Sequence, residues 1–142
     1  MTSTTPIVIE CDGGSRGNPG PGGYAARILV NGVETALVAA RLPGPVTNNE
    51  AEYWGLIEGL TLATYHARDS EILVRTDSKL VVEQMSGRWQ RKNPKLAALA
   101  SMAEGLIRVG RLDVTFEWVP RAQTLRVDKL YNAIMDRSDG SW

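Results

Sequence analysis

The sequence holds one cysteine, one histidine and no surplus of either charge. Cys11 alone cannot form an internal disulfide, and a single cysteine fits a reducing, cytoplasmic compartment. It reads as a small apolar residue on a buried strand. Sixteen basic and sixteen acidic residues leave a formal net charge of zero. There is no chain-wide basic field, so attraction to a polyanion must be local. No stretch approaches the ~18 apolar residues that span a bilayer. The opening MTSTTPIVIECD lacks the basic start and apolar run of a signal peptide. No membrane association is expected, and repeats, low-complexity tracts and linkers are not found.

What is present suits one globular domain. Of 142 residues, 43% are hydrophobic and 23% charged. The core is expected over about residues 6–137, with 138–142 as a tail ending in Trp142.

Pro6–Asp12 reads as a short apolar strand. Tyr24–Val30 and Val33–Leu42 follow as strands joined by Asn31-Gly32, a hairpin signal. Pro43, Gly44 and Pro45 are expected to stop the sheet. Thr47-Asn48-Asn49 supplies capping chemistry for a helix running to about Ala67. Glu71–Thr76 is a fourth strand and Lys79–Ser86 a short helix capped by Ser78. A helix from Asn93-Pro94 to Gly110 follows. Alternation over Leu112–Trp118 gives a fifth strand, and Thr124–Asp136 a last helix with Val127, Leu130 and Ile134 inward. Hairpins followed by helical crossovers imply a mixed α/β sheet, the fourth and fifth strands parallel to the first. Function in such sheets gathers at the carboxyl ends of parallel strands.

Four acids stand at or near element ends: Asp12, Glu52, Asp77 and Asp128. Each has an ordinary reading. Asp12 precedes Gly13-Gly14 as a turn residue would. Asp77 suits a helix start. Glu52 and Asp128 could sit on solvated faces. Together they offer the clustered oxygen donors that hard divalent cations require, and such cations carry the charge of phosphodiester cleavage. Glycines in DGGSRGNPGPGG tighten the chain and let backbone amides at Gly13 and Gly14 approach a ligand. Gly20–Ala25 formally matches a Gly-x-Gly-x-x-Ala dinucleotide fingerprint, but it leads into a strand, with Pro19 before it and Pro21 inside it.

DGGSRGNPGPGGYAA, TNNEAEYWGLIEGL, TDSKLVVEQMSGRW and EWVPR…VDKLYNAIMD, in this order and spacing, resemble ribonuclease H of type 1 over about Ile7 to Asp136. The resemblance implies a five-stranded mixed sheet of order 3-2-1-4-5 flanked by helices. It implies metal-dependent hydrolysis of the RNA strand of RNA–DNA hybrids, leaving 5′-phosphate and 3′-hydroxyl ends. Two Mg²⁺ or Mn²⁺ ions would be held by Asp12, Glu52, Asp77 and Asp128. Asp12 would bridge both ions, Glu52 and Asp77 hold the leaving-group ion, and Asp128 the water-side ion. Asn132 or Asp136 could serve in place of Asp128. Without metal, clustered carboxylates repel and their apparent pKa values rise.

The resemblance also places Gly13, Gly14, Asn18, Thr47, Asn48, Asn49, Trp89 and Arg121 at the substrate. The asparagines would meet 2′-hydroxyls and minor-groove edges; capping alone is the other reading for Asn48 or Asn49. Thr47 would lie near a DNA phosphate. Arg88, Trp89, Arg91, Lys92 and Lys95 form a basic run around an aromatic; it reads equally as a solvated connection. The chain lacks the long basic protrusion of some members, which predicts weaker hybrid affinity. It also lacks a histidine after the fifth strand, where Arg121 stands instead; His66 is expected to be structural. The expected partner is a hybrid, with double-stranded RNA or RNA–DNA junctions in a wider reading, and the chain is expected to act as a monomer. A non-catalytic hybrid-binding module is the alternative.

Overall fold

The computed structural model describes residues 6–137. The tail and Trp142 lie outside them. Among the described residues, five strands form one sheet of order β3-β2-β1-β4-β5. They are β1 (Ile7–Ser15), β2 (Gly20–Val30), β3 (Val33–Val46), β4 (Glu71–Thr76) and β5 (Asp113–Trp118). The helices are α1 (Asn48–His66), α2 (Lys79–Met85), α3 (Pro94–Gly110) and α4 (Leu125–Asp136). A short 3₁₀ turn, Arg121–Gln123, precedes α4. β1 to β3 are antiparallel; β4 and β5 run parallel to β1.

Side chains alternate across the pleat. Ile9 and Cys11 of β1 pair with Ile28 and Ala26 of β2, and all four are buried with α1 in the main core. Cys11 is thus a core residue, and burial pushes its thiol far above the usual range. Glu10, Asp12 and Gly14 point to the other face, opposite Arg27, Ala25 and Gly23. Met135 of α4 covers that face at Gly23. Arg27 bridges buried Glu10 at 2.8 Å and Glu34 at 3.2 Å. Arg126 of α4 completes the chain at 3.1 Å from Glu34.

Three expected boundaries move. β1 continues through Gly13-Gly14 to Ser15, paired with Gly22–Tyr24, so these glycines are strand and not turn. β2 accordingly begins at Gly20 instead of Tyr24. β3 runs past Pro43-Gly44-Pro45 to Val46. It is an edge strand, where a proline forfeits no outer ladder partner. In α4, Val127 and Met135 are the buried residues, and Leu130 and Ile134 are only partly covered.

Candidate active site

β1 pairs with β4 only as far as Glu10 and Arg75. Asp12 therefore still lies just beyond the parallel part of the sheet, although its strand continues against β2. It is 5% exposed. α1 crosses directly over it. A Cβ on Gly13 would stand 2.2 Å from the Ala51 carbonyl oxygen, and one on Gly55 would stand 2.6 Å from that of Asp12. Only glycine permits this approach, and it brings Glu52 beside Asp12. The start of α1 is set by Thr47, whose hydroxyl accepts from Glu50 N at 3.1 Å while Glu50 accepts from Thr47 N at 2.8 Å.

Glu52 Oε1 accepts a hydrogen bond from Ser78 Oγ at 3.0 Å. Asp77 follows β4 directly, and its carbonyl accepts from Trp118 Nε1 at 3.1 Å. Asp128 sits in the first turn of α4, where Asn132 Nδ2 donates to its carbonyl oxygen at 3.0 Å. The cleft among these elements holds about 340 Å³. Asp12, Gly13, Gly14, Glu52, Arg121 and Asp128 line it with Ser15, Asn48, Tyr131 and Asn132. Asp77 stands beside it, its charge reaching both Asp12 and Glu52.

Burial, then repulsion from Asp77, raises the Asp12 carboxyl from 3.8 to about 7. Burial raises Glu52 from 4.5 to about 7, against the Ser78 hydrogen bond that lowers it. Such shifts mark a site that holds charge in a poorly solvated place. The cleft offers only oxygen donors among its acidic and amide side chains, the set that suits Mg²⁺ or Mn²⁺. Among the described residues, no three acidic, histidine or cysteine side chains already converge as they would around a bound ion. Arg121 stands there instead, its Nε 3.0 Å from Asp77 Oδ2 and 3.7 Å from Asp128 Oδ1.

Of the alternatives to Asp128, Asp136 is ion-paired to Arg16 at 2.7 Å, and Asn132 Oδ1 accepts from the same guanidinium at 3.2 Å. Asn18 and Asn48 are exposed, and their amide oxygens are engaged by backbone N–H groups. Asn18 Oδ1 accepts from Asn48 N at 3.0 Å, and Asn48 Oδ1 from Ser15 N at 2.8 Å. The helix cap itself is Thr47, with Asn49 exposed beside it. Trp89 follows α2 in the chain, is 44% exposed and does not line the cleft. Arg88 is paired with Glu83, and Arg91 with Glu104 at 3.0 Å. The basic run is therefore partly neutralised within the protein. His66 is exposed in the last turn of α1 and does not line the cleft. Sequence reading overlooked Ser78 as a partner of Glu52 and Tyr131 as a wall of the cleft; a helix-cap serine and a helix tyrosine carry no sign of either.

The strand order and the acids on β1, α1, the end of β4 and α4 define the ribonuclease H-like class of α/β fold. A family model described as reverse transcriptase-like matches residues 10–133. The chain is 49% identical over 131 residues to the bifunctional protein Rv2228c of Mycobacterium tuberculosis, over 92% of this chain and 35% of that one. It thus spans about a third of that relative's length. It is 35% identical over 147 residues to a ribonuclease H of Hydrogenovibrio crunogenus, over 94% of this chain and 98% of that protein. The solved N-terminal RNase H domain of Rv2228c, fused to maltose-binding protein, matches with a TM-score of 0.87 and 47% identity, over 95% of this chain and 96% of that one. LC11-RNase H1 in complex with RNA/DNA hybrid matches with a TM-score of 0.85 and 35% identity, over 93% and 98%. The chain belongs to the ribonuclease H family.

Proposed function

We propose that this domain is an endoribonuclease that hydrolyses the RNA strand of RNA–DNA hybrids. The observation that carries the proposal is the grouping of Asp12, Glu52, Asp77 and Asp128 around one cleft, with Asp12 and Glu52 both raised to about 7. The family is divalent-metal dependent, and the proposed ligands of two Mg²⁺ or Mn²⁺ ions are these four carboxylates. Bound there, the ions would supply charge stabilisation for the attacking and leaving oxygens of a phosphodiester.

The protein's own residues fix the frame. Glycines at 13 and 55 set the spacing of α1 from β1, and so of Glu52 from Asp12. Ser78 orients Glu52 and Trp118 anchors the backbone of Asp77. Arg121, with a side chain 67% exposed at the cleft mouth, is the proposed phosphate or product contact in place of a loop histidine. Asn18, Asn48 and Asn49 would offer amide NH₂ groups to 2′-hydroxyls. Thr47 is the proposed DNA-phosphate contact; it lines a groove of about 660 Å³ with Lys95, whose ammonium lies 3.8 Å from Glu50. Trp89 would lie against the sugar-phosphate edge. With Arg88 and Arg91 paired internally, fewer phosphates are neutralised and hybrid binding should be weak. We place this activity in a monomer in the cytoplasm, an assignment compatible with the single buried cysteine.

The test is cleavage of end-labelled duplexes of one sequence, with Asp12→Asn as control. The duplexes are RNA–DNA hybrid, double-stranded RNA, double-stranded DNA, and DNA with one embedded ribonucleotide, each with Mg²⁺, Mn²⁺ or EDTA. Metal-dependent cutting of the hybrid's RNA strand, lost in Asp12→Asn, is expected. Binding of hybrid without cutting would replace the enzyme reading with the binding module.

A further inference from the structure

Among the described residues, Arg121 is the one cationic side chain lining the acidic cleft. Its Nε lies within 3.0 Å of Asp77 and 3.7 Å of Asp128, two carboxylates assigned above to different ions. In this arrangement no ligating trio converges among the described residues. Its side chain is 67% exposed, and it opens a short 3₁₀ turn whose start, Pro120, makes no side-chain cap. The guanidinium can therefore leave the cleft without disturbing a packed core.

We infer that Arg121 is a resident countercharge that divalent metal must displace, so this one residue sets how tightly the free enzyme binds its ions. The inference rests on the metal reading of the cleft. A guanidinium satisfies carboxylates with directed N–H bonds and cannot be shed by deprotonation. An arriving ion must break those bonds and push the positive charge aside. The cleft thus stays neutralised when metal is scarce, at the expense of metal affinity. Once displaced, Arg121 hangs at the cleft mouth, where a substrate phosphate is its natural new partner. Metal binding and phosphate binding would then favour each other, because each stabilises the swung-out arginine.

The experiment is calorimetric titration of Mg²⁺ and Mn²⁺ into the nucleic-acid-free protein, for wild type, Arg121→Ala, Arg121→Gln and Arg16→Ala. Arg16 is a second cation near this end of the sheet; it pairs with Asp136 and donates to Asn132, and makes no ion pair with Asp77 or Asp128. Melting curves in EDTA establish that each variant folds. Arg121→Ala and Arg121→Gln should bind metal about five-fold more tightly than wild type, the size expected for a partly exposed ion pair. They should also gain more melting temperature on adding metal. Arg16→Ala should stay within about two-fold of wild type. Unchanged or weaker metal binding in both Arg121 variants would overturn the inference and leave the metal reading intact. An equal gain in Arg16→Ala would overturn it too, reducing the effect to overall charge. Absence of binding to all four proteins would overturn the metal reading itself and the inference with it.

Discussion

Gly55 of α1 lies on the backbone of Asp12: a Cβ there would stand 2.6 Å from the Asp12 carbonyl oxygen. The contact joins the helix that carries Glu52 to the strand that carries Asp12. Gly55→Ala must therefore push α1 away from β1 and open the carboxylate cluster. We expect a stability loss of about 1–3 kcal/mol and a fall in cleavage larger than the unfolded fraction explains. Urea unfolding beside hybrid cleavage checks both. Wild-type activity per folded molecule would show that the spacing is not critical.

The raised carboxylates give a pH dependence whose sign follows from linkage. Asp12 and Glu52 ordinarily titrate at 3.8 and 4.5, and in the fold both move to about 7. Between about pH 4 and pH 7 the folded chain therefore holds more protons on these groups than the unfolded chain. Their contribution to metal-free stability falls as pH rises through that window. Asp12→Asn removes one titration and its repulsion. The melting temperature of Asp12→Asn minus that of wild type, in EDTA, should grow from about pH 5 to about pH 8. A flat or shrinking difference would contradict the assigned cause.

Arg27 is the partner of Glu10, which is only 5% exposed. Arg27→Ala strands a buried charge and should cost about 3–5 kcal/mol. Replacing both residues with methionine removes the charge along with its partner and should recover most of that loss. Denaturant unfolding of the single and double variants decides the matter. Equal losses in both would mean that packing, not charge, holds this face of the sheet to α4.

Trp89 is 44% exposed, and its indole lies apart from the residues that line the cleft. Trp89→Ala should raise KM for the hybrid several-fold while leaving kcat nearly unchanged, because it would remove binding that ground state and transition state share. Steady-state kinetics at fixed metal and salt reads the split. An unchanged KM would return Trp89 to a solvated connection.

The order of elements was legible in the sequence because it rests on local physics. Period-two and helical patterning, the Asn31-Gly32 hairpin and Pro94 at a helix start act over a few residues, and α1, β4 and α3 fall where these signals put them. So did the candidate acids, since Asp12, Glu52 and Asp77 each sit in a recognisable local setting. What the sequence concealed was set by neighbours distant along the chain. Gly13-Gly14 resembles a turn, yet pairing with β2 draws it into a strand, and the overlying α1 requires the missing side chain. Pro43 and Pro45 look like a stop, yet an edge position tolerates them. The tie from Ser78 to Glu52 and the reach of Arg121 to Asp77 span 26 and 44 residues. By itself the sequence determined the fold class and the candidate acids. Only the tertiary structure decided which groups hold those acids in place and which cation neutralises them, because electrostatic and packing energies depend on distance in space.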